Sequence, residues 1–281
     1  MRETVNKFVR SRTVLSALLL STLFISAVTV LGILILDMAP PLRLTVFTCG
    51  QLILSCAVIW LMRKLEVFDI SDFSFKGIGK GFLMAWFGFV YTAVSFFVVF
   101  FQIPENSYVM PNIFYLLIVV LHPFAGTGLF EEVLYRGLVL KILLRKTGYS
   151  KRGIIRACVI SSVLFGFLHI VNILAGAPVS ETLTQMISAA AAGFFYAVIF
   201  VRTGKLWIPV LFHGLLNVSV QIFNAIVLPD ALLQNADVQA GISIAGFVIN
   251  TLFAALPILA AGLVLLRKAG SDIVPDEKND V

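Results

Sequence analysis

Eight apolar runs, most of about 20 residues or more, dominate the 281-residue chain. They cover residues 14–36, 42–62, 80–101, 112–145, 154–172, 183–202, 206–226 and 239–266. A helix of about 20 apolar residues crosses the hydrocarbon core, because its backbone groups bond within the segment and its side chains match lipid. The composition agrees: 59% of residues are hydrophobic and 13% charged, against about half and a quarter in soluble domains. Twenty-one basic and 15 acidic residues are too few to coat a soluble protein of this length. A disordered chain, a coiled coil and a soluble disulfide scaffold are thereby excluded. The fold class read from the sequence is all-α: a polytopic membrane protein of about eight transmembrane helices around an internal polar cavity.

The basic residues orient the spans. With the N-terminus in the cytoplasm, every Lys and Arg except Arg43 and Arg136 falls on an inner segment, 19 of 21. Such asymmetry follows the positive-inside rule and places both termini in the cytoplasm. The net charge of +6 is accordingly read as membrane-surface charge; no nucleic-acid partner is expected. Arg2, Lys7, Arg10 and Arg12 give the first run the basic flank of a signal peptide, but its apolar stretch is too long for one and lacks a small-residue cleavage site. An uncleaved span is expected. Residues 1–269 read as one transmembrane domain with a motif core at 112–226, 270–281 as a short polar cytoplasmic tail, and 225–239 as a solvated outer loop. The run 112–145 is too long for a simple crossing, and Pro123, Gly126 and Gly128 predict a broken or tilted helix there. Cys49, Cys56 and Cys158 lie in apolar stretches and are expected to be small buried hydrophobes.

Few ionisable groups remain inside the spans: Glu131, Glu132, Arg136 and all three histidines, His122, His169 and His213. Structural glue, an ion pathway and catalysis each account for charge at such depth. Glu132 and Arg136, four apart, share a helix face and can pair. At ~100° per residue the adjacent carboxylates cannot aim at one spot, so Glu131 points elsewhere without an obvious local partner. A carboxylate in apolar surroundings suits a general acid or base. Phe165 and His169 share a face of the next helix. His213 and Asn217 share one on the seventh span, where imidazole and amide could hold a developing oxyanion. His122 sits at the Pro123 break, where a capping or hydrogen-bonding role is expected. Together the three faces supply what is needed to activate water against an amide bond. Glu131, His169 and His213 also form a suitable zinc ligand set with an open position, though no His-Glu-x-x-His motif is present.

Glu-Glu-x-x-x-Arg, Phe-x-x-x-His and His-x-x-x-Asn, in this order on separate spans, resemble the CPBP family: CAAX proteases and bacteriocin-processing, or Abi-type, intramembrane proteases, related to the type II CAAX prenyl endopeptidase. The resemblance covers Glu131 to Asn217, about a third of the chain. It implies an intramembrane endopeptidase with a conical cavity. Glu131 would activate water with His169, His213 and Asn217 would form the oxyanion site, and Glu132 and Arg136 would be the supporting pair. The family is often labelled metalloprotease, and a zinc ion on Glu131, His169 and His213 stays open beside a metal-free mechanism. The implied substrate is a peptide or a membrane protein cut near the cytoplasmic side. A non-catalytic role in bacteriocin immunity, or as partner of a membrane sensor kinase, is the alternative. The short chain and compact inner loops suggest a bacterial inner or plasma membrane.

Overall fold

A computed structural model describes residue 9 and residues 11–110, 112–174, 176–228 and 244–267, with backbone alone for 244–247. The helices are α1 (Thr13–Leu34), α2 (Pro40–Lys64), α3 (Ile78–Met84), α4 (Phe87–Phe100), α5 (Ile113–Thr147), α6 (Lys151–Phe167, continued by a 3-10 segment Leu168–Ile173), α7 (Val179–Thr203), α8 (Trp207–Ile226) and α9 (Ile244–Arg267). Among the described residues β pairing is limited to an isolated bridge between Tyr108 and Val227. Among the described residues seven helices are long and apolar enough to cross a membrane, and α3 with α4 forms one further, bent pair. The chain is therefore an all-α, multi-pass membrane protein. The polar tail 270–281, the loop residues 229–239 and the basic residues Arg2, Lys7, Arg10, Lys268 and Lys278 lie outside the described residues.

α7 runs through the middle of the bundle, packed along α6 on one side and α9 on the other. Glycine sets the α6–α7 approach: a Cβ on Gly166 would lie 2.3 Å from the Met186 carbonyl oxygen and 2.7 Å from Ala190 Cβ. Residues 80–101, expected as one span, form a bent pair in which α3 and α4 meet at 61°. The bend has a packing cause. A Cβ on Gly81 would lie 2.0 Å from Ile208, and one on Gly88 2.5 Å from the Phe212 ring. Both halves of the pair are thus drawn onto α8, and i−3 hydrogen bonds from Gly88 to Ala85 and from Phe89 to Trp86 turn the corner between them.

The expected break at Pro123–Gly128 is absent. α5 continues through it, with wide π-helical turns at Pro123–Gly128 and again at Val133–Val139. Proline removes one N–H donor, and a wider i→i−5 ladder carries the backbone past the gap. The glycines there serve close approach instead. A Cβ on Gly126 would lie 2.6 Å from Gln51 Oε1, and one on Gly128 3.3 Å from the Val210 carbonyl of α8. Cys158 is buried as expected, but Cys49 and Cys56 are exposed on α2, whose outer face has no protein neighbour.

Basic residues tie the segment after α2 to the bundle. Lys141 pairs with Asp72 and donates to the Val67 carbonyl at 3.2 Å. Arg145 donates to the carbonyls of Leu65 and Glu66. Lys205 donates to Ser71 O at 2.8 Å and Trp207 Nε1 to Phe73 O at 2.7 Å. Burial pushes the Asp72 carboxyl above its ordinary range, with Lys141 opposing the shift. Gly166→Ala should separate α6 from α7 and destabilise the protein by about 1–3 kcal/mol, the usual cost of overpacking. Thermal unfolding of the purified full chain in detergent reads this out, and an unchanged midpoint would refute the close contact.

Candidate active site

Arg136, fully buried, anchors the polar cluster. Its Nη1 donates to Glu132 Oε1 at 3.0 Å, the i,i+4 pair expected from the spacing. Its Nη2 donates to the Gly193 carbonyl of α7 at 2.9 Å. The guanidinium also lies over the rings of Phe165, 4.8 Å from the centroid, and Tyr196, at 5.4 Å. A buried cation needs such compensation because it has left its hydration shell. Gly193 makes room for it: a Cβ there would lie 2.8 Å from Phe165 and 3.2 Å from Arg136 Nη2.

His213 of α8 joins the cluster between the two glutamates. Its Nδ1 lies 2.8 Å from Glu132 Oε1. An ionised carboxylate only accepts, so Nδ1 carries the proton and donates. Nε2, on the opposite side of the ring, faces Glu131 Oε2 at 3.7 Å, beyond hydrogen-bonding distance. Tyr196 stacks on the imidazole, with centroids 5.6 Å apart and planes 20° from parallel. The two carboxylates diverge as the helix dictates, and one imidazole fills the gap with a nitrogen toward each.

His169 is positioned by its own helix. Its Nδ1 donates to the Phe165 carbonyl one turn back, at 2.9 Å, leaving Nε2 as an acceptor. Phe165 meets four groups of the cluster. Its ring lies edge-to-face with His169 at 5.1 Å, Tyr135 at 4.9 Å and His213 at 5.8 Å, and Arg136 covers it.

A cavity of about 90 Å³ adjoins these groups. Glu131, Tyr135, Phe165, His169 and Asn172 line it, with Thr29 of α1. It has room for water, and Glu131 Oε2 and the Tyr135 hydroxyl are both buried without a hydrogen-bond partner. Neither His213 nor Asn217 lines it. Asn217 is half-buried one turn beyond His213 on α8. His169 and Asn172 follow the basic start of α6 by 18 and 21 residues, more than ~25 Å of helical rise. The cavity therefore lies far along α6 from that basic start.

His122 has the hydrogen-bonding role expected of it. Thr48 Oγ1 lies 2.8 Å from its Nδ1 and Thr127 Oγ1 3.3 Å from its Nε2, with Gln51 bonded to Thr127 at 3.3 Å. This second buried polar group joins α2 to the first wide turn of α5. Sequence reasoning missed Tyr135, Tyr196, Gly193 and Asn172. Tyr135 carried a usable signal, four residues after Glu131 on its face. Gly193 and Tyr196 carried none, because their role is contact with another helix.

The proposed zinc set fits this arrangement poorly. Among the described residues no three His, Cys, Asp or Glu side chains converge to hold a metal ion.

Comparison with known proteins bears on the same helices. The "Putative membrane peptidase YdiL" of Bacillus subtilis (strain 168) is 29% identical over 92 residues, which cover 33% of this chain and 31% of that protein. The match thus spans about a third of the curated relative's length. No solved structure matches the chain. Residues 110–219 match the family described as type II CAAX prenyl endopeptidase Rce1-like. That segment runs from the residues before α5 into α8 and holds Glu131, Glu132, Arg136, His169, His213 and Asn217, so the Rce1-like resemblance extends over every motif of the site.

Proposed function

We propose that the protein is an intramembrane endopeptidase that hydrolyses a peptide bond in a peptide or membrane-associated protein. The observation that carries this reading is the contrast between two adjacent glutamates. Glu132 is engaged by Arg136 and His213, whereas Glu131 borders a cavity with an unpartnered buried oxygen and His169 beside it. A carboxylate held this way is placed to take a proton from water.

Water held between Glu131 and His169 Nε2 attacks the scissile carbonyl carbon while Glu131 accepts its proton. The C–N bond then breaks, and that proton passes to the leaving amine. His213, steadied by Glu132, and the Asn217 amide stabilise the developing oxyanion. Because Nδ1 is engaged by Glu132, the imidazole offers a donor from Nε2 only in its doubly protonated form. No step is routed through a metal ion, because the donor groups do not converge. The membrane peptidase name borne by the B. subtilis relative supports the reaction class, and the Rce1-like match supports a substrate met within the bilayer.

The proposal is tested with the full chain in proteoliposomes and a quenched fluorescent peptide library. Glu131→Gln should lower cleavage by about 10²–10⁴, the usual contribution of a general base, and leave the unfolding midpoint near that of the parent. Glu132→Ala, which strands a buried guanidinium, should destabilise by about 3–5 kcal/mol. Equal stability effects from the two variants would refute the division of labour. Asn217→Ala should reduce kcat by about 10²–10³ with little change in KM, as expected for a lost oxyanion donor; an unchanged kcat removes Asn217 from the site. Cleavage should survive EDTA, and metal analysis should find no stoichiometric zinc; loss of activity on chelation, restored by zinc, would overturn the metal-free route. Biological function retained by folded Glu131→Gln and His169→Ala variants would assign a non-catalytic role instead.

A further inference from the structure

A second cavity, of about 760 Å³, opens on the flank of the bundle between the α3–α4 bend, α7 and α9. It shares no lining residue with the cavity at Glu131. Its size lies within the range of small-ligand sites, about 300–1,000 Å³. Met84, Phe87, Phe195, Pro257 and Val264 are among its apolar walls, and Arg202 is its one charged lining residue. Arg202 Nη1 donates to the Leu265 carbonyl at 3.2 Å, which holds the side chain against α9.

The charge is concentrated at one end. Arg202 stands in the last turn of α7, seven residues past Phe195. Lys80 is exposed on α3 one turn before Met84, and Arg267 is exposed on α9 one turn after Val264. Arg202 thus charges one end of an otherwise apolar groove, Lys80 and Arg267 lie along their helices toward that same end, and no acidic residue lines it. The positive-inside pattern puts that mouth at the cytoplasmic face. Trp86, 59% exposed at the bend, adds an aromatic side chain of the kind enriched at membrane interfaces.

A peptide is a poor occupant, since its backbone N–H and C=O groups would meet walls that offer them almost nothing. An amphiphile with an anionic head and a long apolar tail matches both features. We propose that this groove binds one anionic glycerophospholipid of the inner leaflet, with an acyl chain along Phe87, Phe195 and Val264 and its phosphate at Arg202. Cationic clefts between helices recognise such headgroups through direct charge pairing at low dielectric. The site is independent of the peptidase reading.

Native mass spectrometry of the detergent-purified full chain, titrated with dioleoylphosphatidylglycerol or dioleoylphosphatidylcholine at equal concentration, tests this. One phosphatidylglycerol should remain bound under activation that strips phosphatidylcholine. Arg202→Gln, which keeps an amide donor for Leu265, should weaken phosphatidylglycerol binding about fivefold. Ala260→Trp places a bulky ring in the groove at an exposed lining position with Arg202 intact, and should also weaken it. Circular dichroism confirms that each variant is folded; should Arg202→Gln fail to fold, Ala260→Trp and the lipid preference decide. Equal retention of the two lipids, or parental phosphatidylglycerol affinity in either folded variant, would overturn the proposal.

Discussion

A guanidinium sealed inside a bilayer-spanning bundle sets the terms for everything around it. Arg136 has no water to return to, so four groups from three helices must be in place together: the Glu132 carboxylate, the Gly193 carbonyl, and the faces of Phe165 and Tyr196. Glu132 then holds His213, which brings in α8. The geometry of four helices is thereby tied to one charge. Burial of a charge under these conditions is costly unless every partner is supplied, and this favours a single arrangement of the cluster over slightly shifted ones.

The same cluster shows how two neighbouring residues of one type acquire different properties. Glu132 is spent on holding neighbours. Glu131, one position away, is turned about a third of a helical circle and meets a cavity, a ring nitrogen at a distance too long for bonding, and an unpartnered tyrosine hydroxyl. Polar groups left short of partners inside an otherwise satisfied interior concentrate where a protein handles a ligand. The second polar group, around His122, Thr48, Thr127 and Gln51, is the counter-example: its ring nitrogens are both met, as in a structural joint.

Much of the fold was legible because lipid imposes one rule on every span. Apolar length gave the helices, and the three motif faces pointed to Arg136, His169 and His213, which pack around Phe165. What could not be read is contact between helices. Pitch arithmetic on α5 rightly separated Glu131 from Glu132, yet it could not foresee an imidazole from α8 sliding between them. Pro123 and its glycines suggested a break because single-helix reasoning prices a missing donor and ignores a neighbour. Once α8 presses on Gly128 and Gln51 on Gly126, those glycines read as places where helices touch. The bend between α3 and α4 had no proline to announce it; Gly81 and Gly88 matter there through Ile208 and Phe212.

The wide turns of α5 carry a consequence for how this helix is phased. A π-turn holds more residues than an α-turn, so each such stretch rotates all that follows relative to a regular helix. Glu131 and Glu132 stand between the two stretches, at Leu129–Glu132. The helix therefore has three independently clocked faces rather than one seam: a first directed by His122 toward α2, a second that presents the glutamates, and a third that carries Lys141 to Asp72. Winding either stretch back to regular pitch would swing the carboxylates out of line with one anchor while leaving the other in register. The two glutamates are thus suspended between two adjustable dials, and their aim is a property of the whole 35-residue helix.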